Sequence, residues 1–409
     1  MQSIAFVAPA IAAAWKIAPS SFGPVFSATL LGSVIGALLG GTLADRFGRR
    51  LVTVLSVAVF AGVSLATIYA SSVHVLIVFR LLTGLGIGAA VPNFTSLASE
   101  YAPLRRRSTI VAITLWGFPF GAALGGAVSA HLIAQFGWPS VFLLSGTASL
   151  LFLPVFVFLL PESIMYLALR PATHDAIART LARINPGYRL DPGSRFVLPE
   201  RRIAGSRVSA IFRKPLVAGT LLLSGSLIAS LFVTYCVLNW IPSLLRQAGL
   251  PIQDAVMGTV IFNCSGILGS YFCTRLADRG RPLPLLGSAY VFGALAVAMI
   301  GVVGASFWPV MVAIFFAGLF IIGSQMSVSA FVASYYPTAM RGTGIGWTQG
   351  FGRVGSLSGP LAGGYALMIG IQPRGLFQLL SIPASLAALA LFALALIERG
   401  SKSVASRPR

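Results

Sequence analysis

"GTLADRFGRR" occupies residues 41–50 and "LADRGRP" occupies residues 276–282. The tetrapeptides Leu43-Ala44-Asp45-Arg46 and Leu276-Ala277-Asp278-Arg279 are identical. A second pair keeps nearly the same offset: "ASEYAPLRRRSTI" at 98–110 and "ASYYPTAMRGTGI" at 333–345. One shared tetrapeptide is within chance. Two pairs in register mark an internal repeat.

The sequence around these loops is membrane-grade. Hydrophobic residues make up 56% of the 409-residue chain and charged residues only 9%. A soluble protein of this length cannot hide so much apolar surface behind so few charges. Apolar windows bounded by charges or turn residues predict spans at 3–18, 24–44, 51–71, 75–97, 109–133, 140–160, 217–244, 255–274, 284–305, 309–333, 343–369 and 376–397. The set divides into a six-helix bundle over 1–161, a linker over 162–216, a second bundle over 217–398 and a tail over 399–409. The fold class is an all-α polytopic membrane protein. Two parallel six-helix copies imply a pseudo-two-fold axis along the membrane normal and a cavity between them. In the linker, "DAIARTLARI" (175–184) reads as an amphipathic helix.

The net charge of +20 is unevenly placed. Arg46, Arg49, Arg50, Arg105, Arg106, Arg107, the linker, Arg275, Arg279, Arg281, Arg341 and the tail share one side. The loops of opposite parity hold Lys16, Arg246 and Arg374. That asymmetry places the basic loops and the C-terminus in the cytoplasm, beside anionic lipid rather than nucleic acid. Cys236, Cys264 and Cys273 lie in apolar segments without metal-ligand spacing and read as packed thiols. No cofactor or metal site is expected. An enzyme is not expected either, because the spans hold no His cluster or activated nucleophile.

Several motifs together resemble the major facilitator superfamily. Gly41-x-Leu43-x-Asp45-Arg46-x-Gly48-Arg49-Arg50 is similar to its helix 2–3 loop signature. Arg80-x-x-x-Gly84-x-Gly86 resembles its helix 4 motif, "GFPFGAALGG" (117–126) its glycine-rich helix 5 motif, and "LPES" (160–163) a helix 6 ending of several subfamilies. "TGLGIGAAVPN" (83–93), "LNWIPSLL" (238–245) and "GRVGSLSGP" (352–360) look most like the aromatic acid:proton symporters, which carry 4-hydroxybenzoate-type compounds. The resemblance implies two pseudo-symmetric six-helix bundles and secondary active import of an aromatic carboxylate with protons. It further implies a monomer in a bacterial inner membrane. In that subfamily an Asp-Gly-aromatic-Asp segment precedes the stretch matching "QSIAFVAPAIAA", and Met1 stands where the segment ends. The first span is therefore expected to lack its inner third and its acids.

The resemblance implies a conformational gate at the basic loops, made of Asp45, Arg46, Gly48, Arg49, Glu100, Asp278, Arg279 and Arg341. A carboxylate at Asp45 would latch onto the start of helix 11 near Arg341 when the cytoplasmic side closes, acting on a helix N-terminus. Glu100 is expected to pair with Arg49 or with Arg105 to Arg107 in the same gate.

Two arginines lie inside apolar runs, where a charge costs about 2.5–3.5 kcal/mol on insertion scales. Arg353 sits about 18 Å along its span from Arg341. Its fork suits a carboxylate, so it is the first candidate for the substrate anion, against a structural role at a helix break. Arg80 lies near the outer end of helix 4 and is a second candidate, against simple snorkelling. An aromatic ring needs flat walls and a few orienting polar groups. Trp116, Tyr235, Trp240 and Trp347 offer the walls, and Asn239, Asn263, Gln325 and Gln349 the hydrogen bonds.

All nine acids fall in loops, in the tail or at span ends, and His74, His131 and His174 lie at the outer face or in the linker. Either the carrier is not proton-coupled or, as the resemblance implies, the proton-exchanging group lies upstream of Met1. The alternatives are a carrier of another small organic anion or a sugar, a multidrug exporter, and an inactive or receptor-like remnant lacking the helix 1 acids.

Overall fold

The computed structural model describes residues 2–103, 106–168, 177, 180, 208–213, 215–279, 281–303, 306–336 and 340–405. Among them are twelve long or apolar helices: α1 (Ser3–Trp15), α2 (Phe22–Phe47), α3 (Arg49–Ala66), α4 (Val73–Tyr101), α5 (Arg107–Phe136) and α6 (Pro139–Leu159), then α7 (Val217–Gln247), α8 (Ile252–Arg279), α9 (Pro282–Val303), α10 (Phe307–Tyr335), α11 (Arg341–Met368) and α12 (Pro373–Ala405). The amphipathic helix expected at 175–184 lies outside the described residues.

Ten of these helices, α2 to α10 and α12, are long and apolar enough to cross a membrane. Several exceed their expected spans. At 1.5 Å per residue the 29 residues of α4 extend about 43 Å, against about 30 Å of hydrocarbon. The two others are special. α1 has 13 residues and stops at Lys16, whose left-handed φ of 54° turns the chain toward Pro19. α11 has 28 residues but is rich in glycine and carries Arg353, so packing rather than hydropathy holds it in place.

The packing repeats in both halves. α2 lies on α4, α3 on α6 and α1 on α5; correspondingly α8 lies on α10, α9 on α12 and α7 on α11. Small residues let the backbones meet, as in other membrane bundles. Gly32, Gly36 and Gly40 of α2 face Leu81, Leu85 and Ala89 of α4. Gly269 of α8 faces Leu319 of α10, and Gly318 of α10 faces Phe262 of α8. The molecule is therefore two six-helix bundles of one design, joined through α1 with α7, α2 with α11, and α5 with α8.

Candidate functional site

The joints between the bundles define the site. Helices alternate in direction, so loops 16–21, 67–72, 248–251 and 369–372 share one end, called here the far end. The other end carries Asp45, Arg49 and Arg279 and is called the basic end.

Cross-bundle contacts gather in the far half. Gly23 of α2 abuts Gly364 of α11, and an added Cβ at Gly23 would stand 3.2 Å from the Gly364 Cα. Ser27 Oγ on α2 donates to the Leu357 carbonyl of α11 at 2.9 Å. The rings of Phe26 and Trp240 meet edge to face, 5.2 Å apart. Gly126 of α5 lies under Val260 of α8. The side-chain amides of Gln2 and Asn263 bond each other reciprocally, at 3.1 and 3.4 Å, joining α1 to α8.

These contacts orient α11. Leu357, Pro360 and Gly364 touch α2. Residues three, four and seven apart share a helix face. Gly346, Gln349, Gly350 and Arg353 continue that stripe toward the basic end. The opposite face, with Gly352, Gly355, Gly359 and Gly363, is seated on α7. An added Cβ at Gly346 or Gly350 would meet nothing, and Arg353 is exposed. Among the described residues no carboxylate lies within ion-pair distance of Arg353. The stripe therefore sets Arg353 on the face of α11 that meets α2, one turn on the basic side of the closed contacts.

The other candidates are distributed unevenly. Tyr235 and Asn239 line a small cavity between α1, α2 and α7, together with Gln2, Phe26 and Thr29. Asn263 is buried against Gln2. Gln325 and Gln349 are partly exposed. The side chain of Trp116 lies outside the described residues.

Three candidates lie away from the cleft stripe in this structure. Arg80 does not face the cleft: it is 2% exposed, bonded through Nη2 to Thr67 Oγ1, and stacked over Phe142 at 4.8 Å. Those partners belong to the first bundle's own α3–α6 side, where a cation over an aromatic ring is held by about 0.5–2 kcal/mol. Trp240 is fully buried, with its indole N–H given to the Pro360 carbonyl at 3.0 Å, so it is packing between α7, α11 and α2. Trp347 lies about a quarter turn from the cleft stripe and contacts Phe212 and Phe351 instead. One thiol also departs from expectation: Cys236 and Cys273 are buried, but Cys264 is exposed.

At the basic end, Glu100 forms an ion pair with Arg49, and its second oxygen accepts from Ser163 Oγ at 2.7 Å. Glu162, absent from the candidate set, is equally engaged. Its Oε1 accepts from the backbone N–H groups of Arg49, Arg50 and Ser163 at 2.8, 3.1 and 2.8 Å. A carboxylate thus caps the positive end of α3, worth about 1 kcal/mol. Gly48 makes this possible. Its φ of 98° is open to glycine alone, and a Cβ there would strike Glu162. The signal lay in "LPES", whose acid follows a helix end and faces "GRR" at the start of α3. Asp45 is exposed, without an ion pair among the described residues. Arg46 and Arg279 are exposed, and the side chains of Asp278 and Arg341 lie outside the described residues.

Comparisons agree with this architecture. The family described as Major Facilitator Superfamily matches residues 1–360 and 259–409. A gallate transporter of Pseudomonas putida is 39% identical over 95% of this chain and 86% of its own length. A 4-hydroxybenzoate transporter of Acinetobacter baylyi is 36% identical over 97% of this chain and 87% of its own. Among solved structures, a D-xylose-proton symporter superposes with a TM-score of 0.70 at 16% identity, over 96% of this chain and 93% of that one, which speaks for the fold alone. The chain is thus a multi-pass carrier rather than an enzyme, and it belongs to the Major Facilitator Superfamily, in the branch that holds the gallate and 4-hydroxybenzoate transporters.

Proposed function

We propose that this protein imports a hydroxylated aromatic carboxylate, of the 4-hydroxybenzoate or gallate kind, together with protons across a bacterial inner membrane. The observation that carries the reading is Arg353, exposed on the stripe of α11 that faces the opposite bundle. A guanidinium in a cleft is a bidentate partner for a carboxylate. Relatives that carry aromatic acids at 36–39% identity supply the substrate class.

The conformation supports alternating access. With the basic end in the cytoplasm, as the charge asymmetry argues, the far-end contacts close the outer side and Arg353 is reached from inside. Rocking the bundles would break the Gly23–Gly364 and Ser27–Leu357 contacts and bring the basic ends together. The gate would then consist of Asp45, Arg46, Gly48, Arg49, Glu100, Asp278, Arg279 and Arg341. Asp45, exposed in this state, would meet the N-terminus of α11. The Arg49–Glu100–Glu162 network keeps α3, α4 and the end of α6 moving as one piece.

Uptake of radiolabelled 4-hydroxybenzoate into cells producing the chain, with and without a protonophore, tests this. Saturable uptake abolished by the protonophore is expected. Uptake indifferent to the protonophore would remove proton coupling, and absence of uptake of any aromatic acid would remove the substrate assignment.

A further inference from the structure

We propose that the small cavity between α1, α2 and α7 receives a ring hydroxyl of the carried acid, and that Thr29 is the residue that reads it. The proposal rests on the aromatic-acid reading above. The cavity holds about 20 Å³ of free space, enough for one water-sized group, since a water needs about 10–15 Å³. Phe26 and Leu238 give it apolar walls. No charged side chain lines it, so it suits a neutral donor and acceptor rather than the carboxylate.

Thr29 is 2% exposed, and its Oγ1 has no hydrogen-bond partner among the described residues. Thr67, Thr83 and Thr95 return their hydroxyl to a carbonyl one turn back, whereas Thr29, like the buried Thr53, Thr234 and Thr259, does not; of these four only Thr29 lines the cavity. A buried hydroxyl left alone costs free energy that a ligand group would recover. Asn239 adds a second polar group, having given one amide proton to the Tyr235 carbonyl at 2.7 Å. Gln2 is already committed to Asn263.

Along the helix axes the cavity is nearly level with Arg353. The Ser27–Leu357 hydrogen bond sets α2 and α11 level at that point. From there Arg353 lies about 6 Å and Thr29 about 3 Å toward the basic end. An acid with its carboxylate on Arg353 would lie across the cleft, with its far edge toward Thr29.

The test compares 4-hydroxybenzoate with benzoate in proteoliposomes, using wild type, Thr29→Val and Thr29→Ser. Thr29→Val keeps the shape and removes the hydroxyl. It should lower the ratio of kcat/KM for 4-hydroxybenzoate over benzoate about five- to tenfold, the worth of one neutral hydrogen bond. Thr29→Ser should restore the wild-type ratio. A ratio unchanged in Thr29→Val would overturn the subsite while leaving the aromatic-acid assignment intact. A wild type that transports neither acid would overturn both.

Discussion

α5 and α11 occupy equivalent places in the two bundles, and both are rich in glycine, yet they use it differently. On α11, Gly352, Gly355, Gly359 and Gly363 press on α7. On α5, a Cβ at Gly117, Gly121 or Gly125 would meet nothing, and only Gly126 is covered, by Val260 and Phe6. α11 is seated on α7 along this face, whereas the covered glycine of α5 meets Phe6 of α1 and Val260 of α8. A small-residue pattern licenses close approach, but a neighbour has to supply it. The helices also differ in charge. The repeat that aligns 98–110 with 333–345 sets Phe118 against Arg353, so a cation stands on only one side of that aligned pair.

The sharpest way to break this comparison is to remove that cation. Arg353→Gln should lower kcat/KM for 4-hydroxybenzoate by about 100-fold or more, the cost of losing one partner of a charged hydrogen-bonded pair. Arg353→Lys should recover only part, because an ammonium lacks the fork. Phe118→Leu should change uptake little. Equal losses at Arg353 and Phe118 would end the asymmetry.

Next come the glycines. Gly355→Ala puts a methyl into the Ile228 carbonyl and should destabilise the carrier by about 1–3 kcal/mol, read as a lower Tm in detergent. Gly121→Ala should be neutral or slightly stabilising, since alanine is the better helix former by about 1 kcal/mol. The smallest effect concerns the basic end. Glu162→Gln should cost about 1 kcal/mol through the weakened cap of α3 and slow uptake modestly. An unchanged Tm would show that the neutral amide caps as well.

The repeat and the apolar spans could be read from residue order, because insertion cost and periodicity act on single segments. Side-chain direction could not. Arg80 and Arg353 look alike in sequence, each a lone cation in an apolar run. Only the helices packed around them bury one over Phe142 and leave the other exposed. Trp240 likewise resembles a substrate wall until Pro360 and Phe26 are seen to enclose it. Gln2 and Thr29 escaped notice because a polar group at a bundle joint carries no local pattern. Glu162 was visible as a helix-ending acid, but its partner, the N-terminus of α3, lies more than a hundred residues away.

The central claim is that the Arg353 stripe lines a cleft, reached from the basic end, that binds an aromatic carboxylate. Gly350 lies one turn from Arg353 with open space at its Cβ, so a cysteine fits there. Gly350→Cys, in a background with Cys236, Cys264 and Cys273 replaced, can be treated with an impermeant maleimide from either side of the membrane. Labelling from the side of Arg49, slowed by 4-hydroxybenzoate, is the predicted result. Labelling only from the opposite side, or labelling that the substrate leaves unchanged, would contradict the account.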